Sequence, residues 1–349
     1  MIKATAPGKL ILIGEYVVLE GAPALVSAVD RFAEVNLRES SKNYAVSAPS
    51  IQIEDVEFSI NENNLVMFDA RVDLETQKKL TFFKNTFEFA WQYCRNFNVT
   101  KTPFKININT DAFYSEEFKT KLGFGSSAAL TVALVKALFK LINKDIDNSD
   151  IRDQLFRLSL SAHKKAQGNI GSGIDVAASS YGGILEYRVG IDKNAEHLLP
   201  ENIEPWSELP MLTVFTGHSE STRKMVFGVN ELKKQKADVY KELMIELEKT
   251  SIEGCAAYKS KNIFAFLNAV KTYHVQMNLL GKSSEMPIIS AVHQQIARII
   301  HQSGGAYKPS GAGSGDIGIA FAESSEQLQM IRSKIEEQNF HCIDTQIAC

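Results

Sequence analysis

The 349-residue chain is 44% hydrophobic and 23% charged, which excludes a disordered or collagen-like polypeptide and leaves room for two lobes, each with its own core. Its formal charge of −3 excludes a chain-wide basic field, so nucleic acid and membrane lipid are not expected as partners, and any anionic ligand must be held locally. Four cysteines, Cys94, Cys255, Cys342 and Cys349, lack C-x-x-C spacing and read as reduced thiols, neither zinc ligands nor a disulfide framework.

The opening M-I-K-A-T-A-P-G-K has no apolar core of a signal peptide, and no later run reaches membrane-span length, so cytoplasmic placement is expected. Pro7 and Gly8 predict a turn, and residues 10–13 a short buried strand with Lys9 just ahead of it. Lys9 reads either as a solvated strand-end lysine or as a cation reaching a phosphate. Past Glu15 and Tyr16, two apolar runs broken at Gly21-Ala22-Pro23 predict antiparallel strands joined by a tight turn. Polar and apolar residues alternate through 33–68, which predicts further half-exposed strands. Residues 74–97 space apolar groups at three and four, predicting an amphipathic helix whose aromatics, Phe87 and Trp91 included, pack in a core. F-K-I-N-I-N at 104–109 alternates strictly and predicts a strand.

Residues 121–129, K-L-G-F-G-S-S-A-A, are the most informative stretch, because they lead into a helix predicted from 128 to 142 whose only charges, Lys136 and Lys140, share one face. Gly123 and Gly125 allow close backbone approach to an anion at a helix N-terminus, and Ser126 and Ser127 add hydroxyls for phosphate oxygens or Mg²⁺. A plain helix cap reads the same way. The stretch is not a Walker loop, and a dinucleotide G-x-G-x-x-A lacks the buried strand it needs ahead of it.

A helix is predicted over 151–167, then G-N-I-G-S-G-I-D-V-A-A-S-S-Y-G-G, where Asp175 is either a first-turn carboxylate stabilised by the helix dipole or a functional acid. Prolines and charges near 190–208 predict a lobe boundary, with lobes at 1–195 and 196–349. Beyond it the pattern predicts a strand at 211–216, a polar loop with Arg223 and Lys224, and long helices ending near 248 and spanning 251–279. A helix at 288–301 follows, then a glycine-dense loop from 304, a strand at 317–321, a helix at 324–338 and a strand at 341–347. That order suits a split β-α-β sandwich.

Three glycine-rich segments in fixed order resemble the motifs of the GHMP kinases: P-G-K-L-I-L-I-G-E-Y near the N-terminus, G-F-G-S-S-A-A at 123–129, and the segment 310–321. Within that superfamily G-S-G-I-D-V-A-A-S-S-Y-G-G and K-P-S-G-A-G-S-G-D-I-G-I-A-F look most like the phosphomevalonate kinase family, in which Asp316 replaces the glycine or alanine usual in mevalonate kinases. Phe124 departs from the family's usual leucine.

The resemblance implies an α+β, two-lobed GHMP kinase fold, with an N-terminal lobe like ribosomal protein S5 domain 2 and a C-terminal ferredoxin-like α/β sandwich. It also implies ATP as co-substrate, Mg²⁺ as cofactor, 5-phosphomevalonate as acceptor, and a monomer or homodimer. Carried over by motif position, Gly123, Phe124, Gly125, Ser126, Ser127 and Ala128 would wrap the ATP phosphates, with Ser126 or Ser127 on Mg²⁺. Lys9 and Asp175 would be catalytic and would also touch the acceptor. Tyr16 and Ser172 would line the acceptor pocket, with Ser310, Gly311, Ala312 and Gly313 closing over it. Arg188 and Lys224 are selected only by position and charge as grips on the substrate phosphate.

Overall fold

The computed structural model describes residues 1–97, 102–168, 171–190, 198–220 and 222–348. In chain order the first elements are β1 (Ile2–Ile13), β2 (Ala24–Glu39), β3 (Tyr44–Ala48), β4 (Ile53–Ile60), β5 (Val66–Phe68), α1 (Leu74–Lys79), α2 (Thr81–Cys94), β6 (Phe104–Asn109), β7 (Tyr114–Ser115) and β8 (Thr120–Lys121). Then come α3 (Ser126–Leu141), α4 (Ser149–Gln167), α5 (Ile174–Tyr181), β9 (Ile184–Tyr187), β10 (Glu201–Ile203), β11 (Met211–Phe215), α6 (Thr222–Gln235) and α7 (Ala237–Lys259). The chain closes with α8 (Ile263–Ser283), α9 (Ala291–Gln302), β12 (Ala306–Pro309), β13 (Ile317–Phe321), α10 (Ser325–Glu337) and β14 (His341–Ile343). None of the described helices is long and apolar enough to cross a membrane.

The chain divides into two compact units interleaved in sequence, one of Met1–Gly8, Asp30–Phe113 and Gly125–Gly182, the other of Lys9–Val29, Tyr114–Phe124 and Gly183–Cys349. The boundary expected at 195/196 lies outside the described residues.

In the first unit the second half of β2 pairs antiparallel with β6, Glu34 opposite Asn109. β6 runs parallel to β3, and β4 and β5 continue antiparallel from there. The strict alternation of β6 is realised as alternating burial. Phe87 and Trp91 of α2 stack on each other with ring centroids 5.4 Å apart, and Phe58 and Phe104 close the same cluster, so these aromatics form core. The single helix predicted over 74–97 is instead two, because Asp73 caps a short α1 and the chain turns at Leu80 before α2. α3 is buried nearly all round, as its composition requires of a central helix. Lys140 reaches out to the Lys3 carbonyl at 2.9 Å.

In the second unit β12, β13, β11 and β14 form an antiparallel sheet in that order, with Tyr307 opposite Ala320, Thr213 opposite Ile319 and Val214 opposite Cys342. Strand, helices, two strands, helix and strand in this order make the split β-α-β sandwich expected from sequence. Ile296 and Ile300 of α9 and Ile331 and Ile335 of α10 bury against Leu212, Val214 and Ala320 of the sheet. The first half of β2 pairs with β9, and β9 with β10.

Three local expectations change here. Val17–Glu20 is a 3₁₀ turn and not a strand, because Tyr16 takes a positive φ of 65° and Gly21 one of 91° at the turn's two ends. Ala306–Pro309, read as loop, is a strand because its four residues are all buried beside β13. The long helices break at Lys236 and near Ser260, where the chain leaves α6 and α7, rather than between 248 and 251.

Two histidines in this unit set its response to acid. Nε2–H of His293 donates to the Gly315 carbonyl at 3.2 Å, so its Nδ1 accepts from the Tyr307 hydroxyl at 2.7 Å. Burial pushes the His293 pKa down to about 3 and that of His274 to about 4. Both folded values lie below that of an unfolded histidine, about 6.5, so their contribution to stability is complete above that pH and is lost as pH falls. Urea titrations should therefore show about 2 kcal/mol lost per histidine between pH 7 and pH 5. Stability that stays level over that interval contradicts the assignment.

Candidate active site

In the first unit α3 and α5 start from glycines in the left-handed region, Gly125 at φ 80° and Gly173 at φ 85°, and neither glycine supplies a capping side chain. By contrast α1, α4, α8, α9 and α10 are capped by Asp73, Asn148, Asn262, Ser290 and Ser324. α2 and α7 also lack a side-chain cap, but each follows within a residue of the preceding helix. The first intrahelical bond of α3 runs from Ala129 N–H to the Gly125 carbonyl at 3.2 Å. The N–H groups of Ser126, Ser127 and Ala128 therefore have no carbonyl within the helix. An N-terminus built this way suits an anion better than a cap.

Ser127 is oriented from α4. Its hydroxyl lies 3.2 Å from His163 Nε2 and accepts from Gln167 Nε2 at 3.1 Å. At α5, Ser172 Oγ accepts the Ile174 N–H at 3.3 Å, and the partly buried Asp175 accepts the Val176 N–H at 2.9 Å. Ser179 donates to the Pro7 carbonyl at 2.7 Å, fastening α5 to β1 two residues before Lys9.

In the second unit Lys9 is held at both ends. Its N–H donates to the Phe124 carbonyl at 2.9 Å and its ammonium to the Gly123 carbonyl at 3.2 Å. The ammonium also stands 3.7 Å from where a Cβ on Gly311 would lie, so the N-terminal lysine, the loop at Gly123 and the third glycine segment are brought together. Phe124 is fully buried and offers a ligand only its backbone.

The third glycine segment is sewn to β1. Ser310 Oγ accepts from Ile11 N–H at 2.8 Å and donates to the Ile11 carbonyl at 3.2 Å, which ties the segment to β1. Tyr16 donates to the Ala312 carbonyl at 2.5 Å. Gly313 has no room for a side chain, since a Cβ would meet the Ile288 carbonyl oxygen at 2.2 Å. Lys308, fully buried, pairs with Glu15 and also donates to the Ile11 carbonyl at 3.2 Å and the Pro309 carbonyl at 2.6 Å. Glu15 in turn accepts the Gly311 N–H at 3.2 Å.

Arg188 is exposed and held by Glu186, itself bonded to Lys259, and among the described residues none of its hydrogen bonds runs to a glycine segment. Lys224 is exposed in the first turn of α6.

Residues 84–183, from α2 to the edge of β9, match the family described as GHMP kinases N terminal domain. Over 356 positions the chain is 25% identical to a phosphomevalonate kinase of a Streptomyces species, covering 95% of this chain and 93% of that one. Over 252 positions it is 27% identical to a mevalonate kinase of Thermococcus onnurineus, covering 71% and 67%. The structure of Streptococcus pneumoniae phosphomevalonate kinase in complex with phosphomevalonate and AMPPNP matches with a TM-score of 0.80 at 19% identity, over 99% of this chain and 100% of that one.

By these matches the chain is similar to the GHMP kinases, with residues 84–183 corresponding to their N-terminal domain. Its fold is the α+β fold of these kinases, with the ferredoxin-like arrangement of β11 to β14 described above. Several residues that organise these GHMP kinase segments escape sequence reading. His163 and Gln167 sit in an ordinary amphipathic helix pattern, and only their pairing with Ser127 marks them. Lys308 stands inside a recognised motif, but nothing in K-P-S-G announces complete burial.

Proposed function

We propose that this GHMP kinase transfers the γ-phosphoryl group of ATP to the phosphate of 5-phosphomevalonate, giving 5-diphosphomevalonate and ADP in the mevalonate route to isopentenyl diphosphate. The observation that carries the kinase reading is the Lys9 ammonium held at the Gly123 carbonyl, in a loop that runs on into the uncapped N-terminus of α3. The alignment with a phosphomevalonate kinase over 95% of the chain supports this acceptor.

Phosphoryl transfer is mostly positioning and charge neutralisation, and here both reactants are polyanions. In this reading the N–H groups of Ser126, Ser127 and Ala128 bind donor phosphate oxygens, while Gly123 and Gly125 keep the backbone close. Lys9 places one positive charge between donor and acceptor. Asp175 orients the acceptor rather than deprotonating it, because a phosphate monoester is already largely ionised at neutral pH. Tyr16 and Ser310 act by shaping the third glycine segment through the Ala312 carbonyl and Ile11, and Ser172, Gly311 and Gly313 border the acceptor. Arg188 and Lys224 remain proposals from charge alone.

Mg²⁺ fits the residues present. Gln167 donates to Ser127 Oγ, and in the tautomer in which His163 Nε2 takes the hydroxyl proton the second lone pair stays available. Among the described residues no three His, Cys, Asp or Glu side chains are grouped to hold a metal, so the ion would be carried on nucleotide phosphates with Ser127 or Ser126 assisting. When bound it would neutralise charge on the transferring group.

Mevalonate kinase is the second reading, supported by the 27% identity to the T. onnurineus enzyme. Coupled ADP-release assays on purified protein separate the two. Turnover is expected with 5-phosphomevalonate, and Asp175→Ala should lower it about 100-fold through misplacement of the acceptor. ADP release with mevalonate alone would transfer the assignment, and release with neither would favour a non-catalytic ligand sensor.

A further inference from the structure

Asp316 takes a φ of 60°, in a region that non-glycine residues visit at a cost, and it does so within the third glycine segment, directly ahead of β13. Its backbone is pinned there: its N–H donates to the His218 carbonyl at 2.8 Å, and its carbonyl accepts from Thr216 N–H and Thr216 Oγ1, each at 2.9 Å. The side chain is driven against the phosphate loop. A Cβ on Gly123 would meet the Asp316 Cβ at 2.4 Å and its Oδ1 at 3.2 Å, so Asp316 adds a steric demand for glycine to the one already set by the φ of 86°.

The carboxylate is also electrically uncomfortable. Burial raises its pKa, countered by a hydrogen bond from Ser219, the charge of Lys9, the Glu220 N–H and His218. Among the described residues its Oδ1 is buried with no hydrogen-bond partner. A strained backbone and an unsatisfied buried acceptor at one residue are destabilising features, and they accumulate where function retains them. The same Gly123 offers its carbonyl to the Lys9 ammonium at 3.2 Å.

We propose that Asp316 is a positioning residue for phosphoryl transfer, one whose carboxylate, packed against Gly123, keeps the Lys9 ammonium seated at the Gly123 carbonyl. It never touches the reacting atoms. Its effect on turnover rests on the kinase reading above, whereas its effect on Lys9 does not.

The test compares Asp316→Gly and Asp316→Asn with the unaltered protein in two ways. Lysine amines are reductively methylated with ¹³C, the Lys9 resonance is assigned through Lys9→Arg, and its pH titration is followed by NMR. The midpoint is expected to fall in both variants; an unchanged midpoint overturns the proposal whatever the activity. In parallel, steady-state kinetics with ATP and 5-phosphomevalonate should show kcat lowered about 100-fold, the scale of a misplaced reacting group. The melting temperature of Asp316→Gly should be at or above the parent's, since glycine relieves the left-handed strain. Loss of activity together with a lower melting temperature marks a merely structural role and overturns the proposal, as does unchanged kcat. If the unaltered protein turns over neither acceptor, the kinase reading fails, and the NMR titration still decides whether Asp316 governs Lys9.

Discussion

Lys308→Met is expected to destabilise the protein by about 3–5 kcal/mol, the cost of breaking a buried ion pair by removing one partner. Lys308 has no exposed surface, and it distributes its ammonium protons over Glu15, the Ile11 carbonyl and the Pro309 carbonyl. Without it Glu15 keeps a Gly311 N–H and loses its counter-charge, with its Oε2 already lacking a partner among the described residues. Burial pushes the Glu15 carboxyl up and the Lys308 amine down, and the charge of each partner opposes the shift of the other. The double variant Glu15→Leu with Lys308→Met removes both charges and should recover most of the loss, because well-packed apolar replacements of buried pairs are often neutral. Urea denaturation of the three variants measures this. Equal losses in the single and double variants would show that packing, not the uncompensated charge, sets the cost.

Lys9→Met should lower kcat by about 10³-fold with ATP and 5-phosphomevalonate, the scale of losing one preorganised electrostatic contact to a transferring group. Methionine keeps the length and apolar stem of the side chain and abandons only the ammonium at the Gly123 carbonyl. The melting temperature should accordingly change little. Lys9→Arg should recover only part of the rate, since a planar guanidinium fills the space beside Gly311 differently from a point-like ammonium. A kcat within about tenfold of the unaltered protein in Lys9→Met would remove this residue from the mechanism.

These two lysines differ in how much the sequence reveals. Lys9 is legible because it precedes an apolar run inside a motif of recognisable order, so its chemistry is inferred from its neighbours in the chain. Lys308 also lies in such a motif, yet burial of a lysine depends on a carboxylate 293 positions away, and no local pattern encodes that. Asp316 is visible as an acidic residue after Gly-Ser-Gly, but its positive φ and its collision course with Gly123 arise only from folding. Ser310 and Tyr16 show the reverse case. Both read as pocket residues, and both spend their hydroxyl groups on Ile11 and Ala312.

By itself the amino-acid order determined the strands that alternate, such as β6, and the apolar central helix α3, and the order of its glycine segments carried the likeness to a kinase superfamily. The strands and the helix follow from hydrophobic period, which acts over a few residues, whereas the likeness rests on motif resemblance. Tertiary structure decided that Val17–Glu20 coils instead of extending and that Ala306–Pro309 becomes a strand. It also decided that Lys9 meets Gly123 and Lys308 meets Glu15. The reason is that burial, pairing and counter-charge are set by residues hundreds of positions apart, whose contact exists only once both have packed.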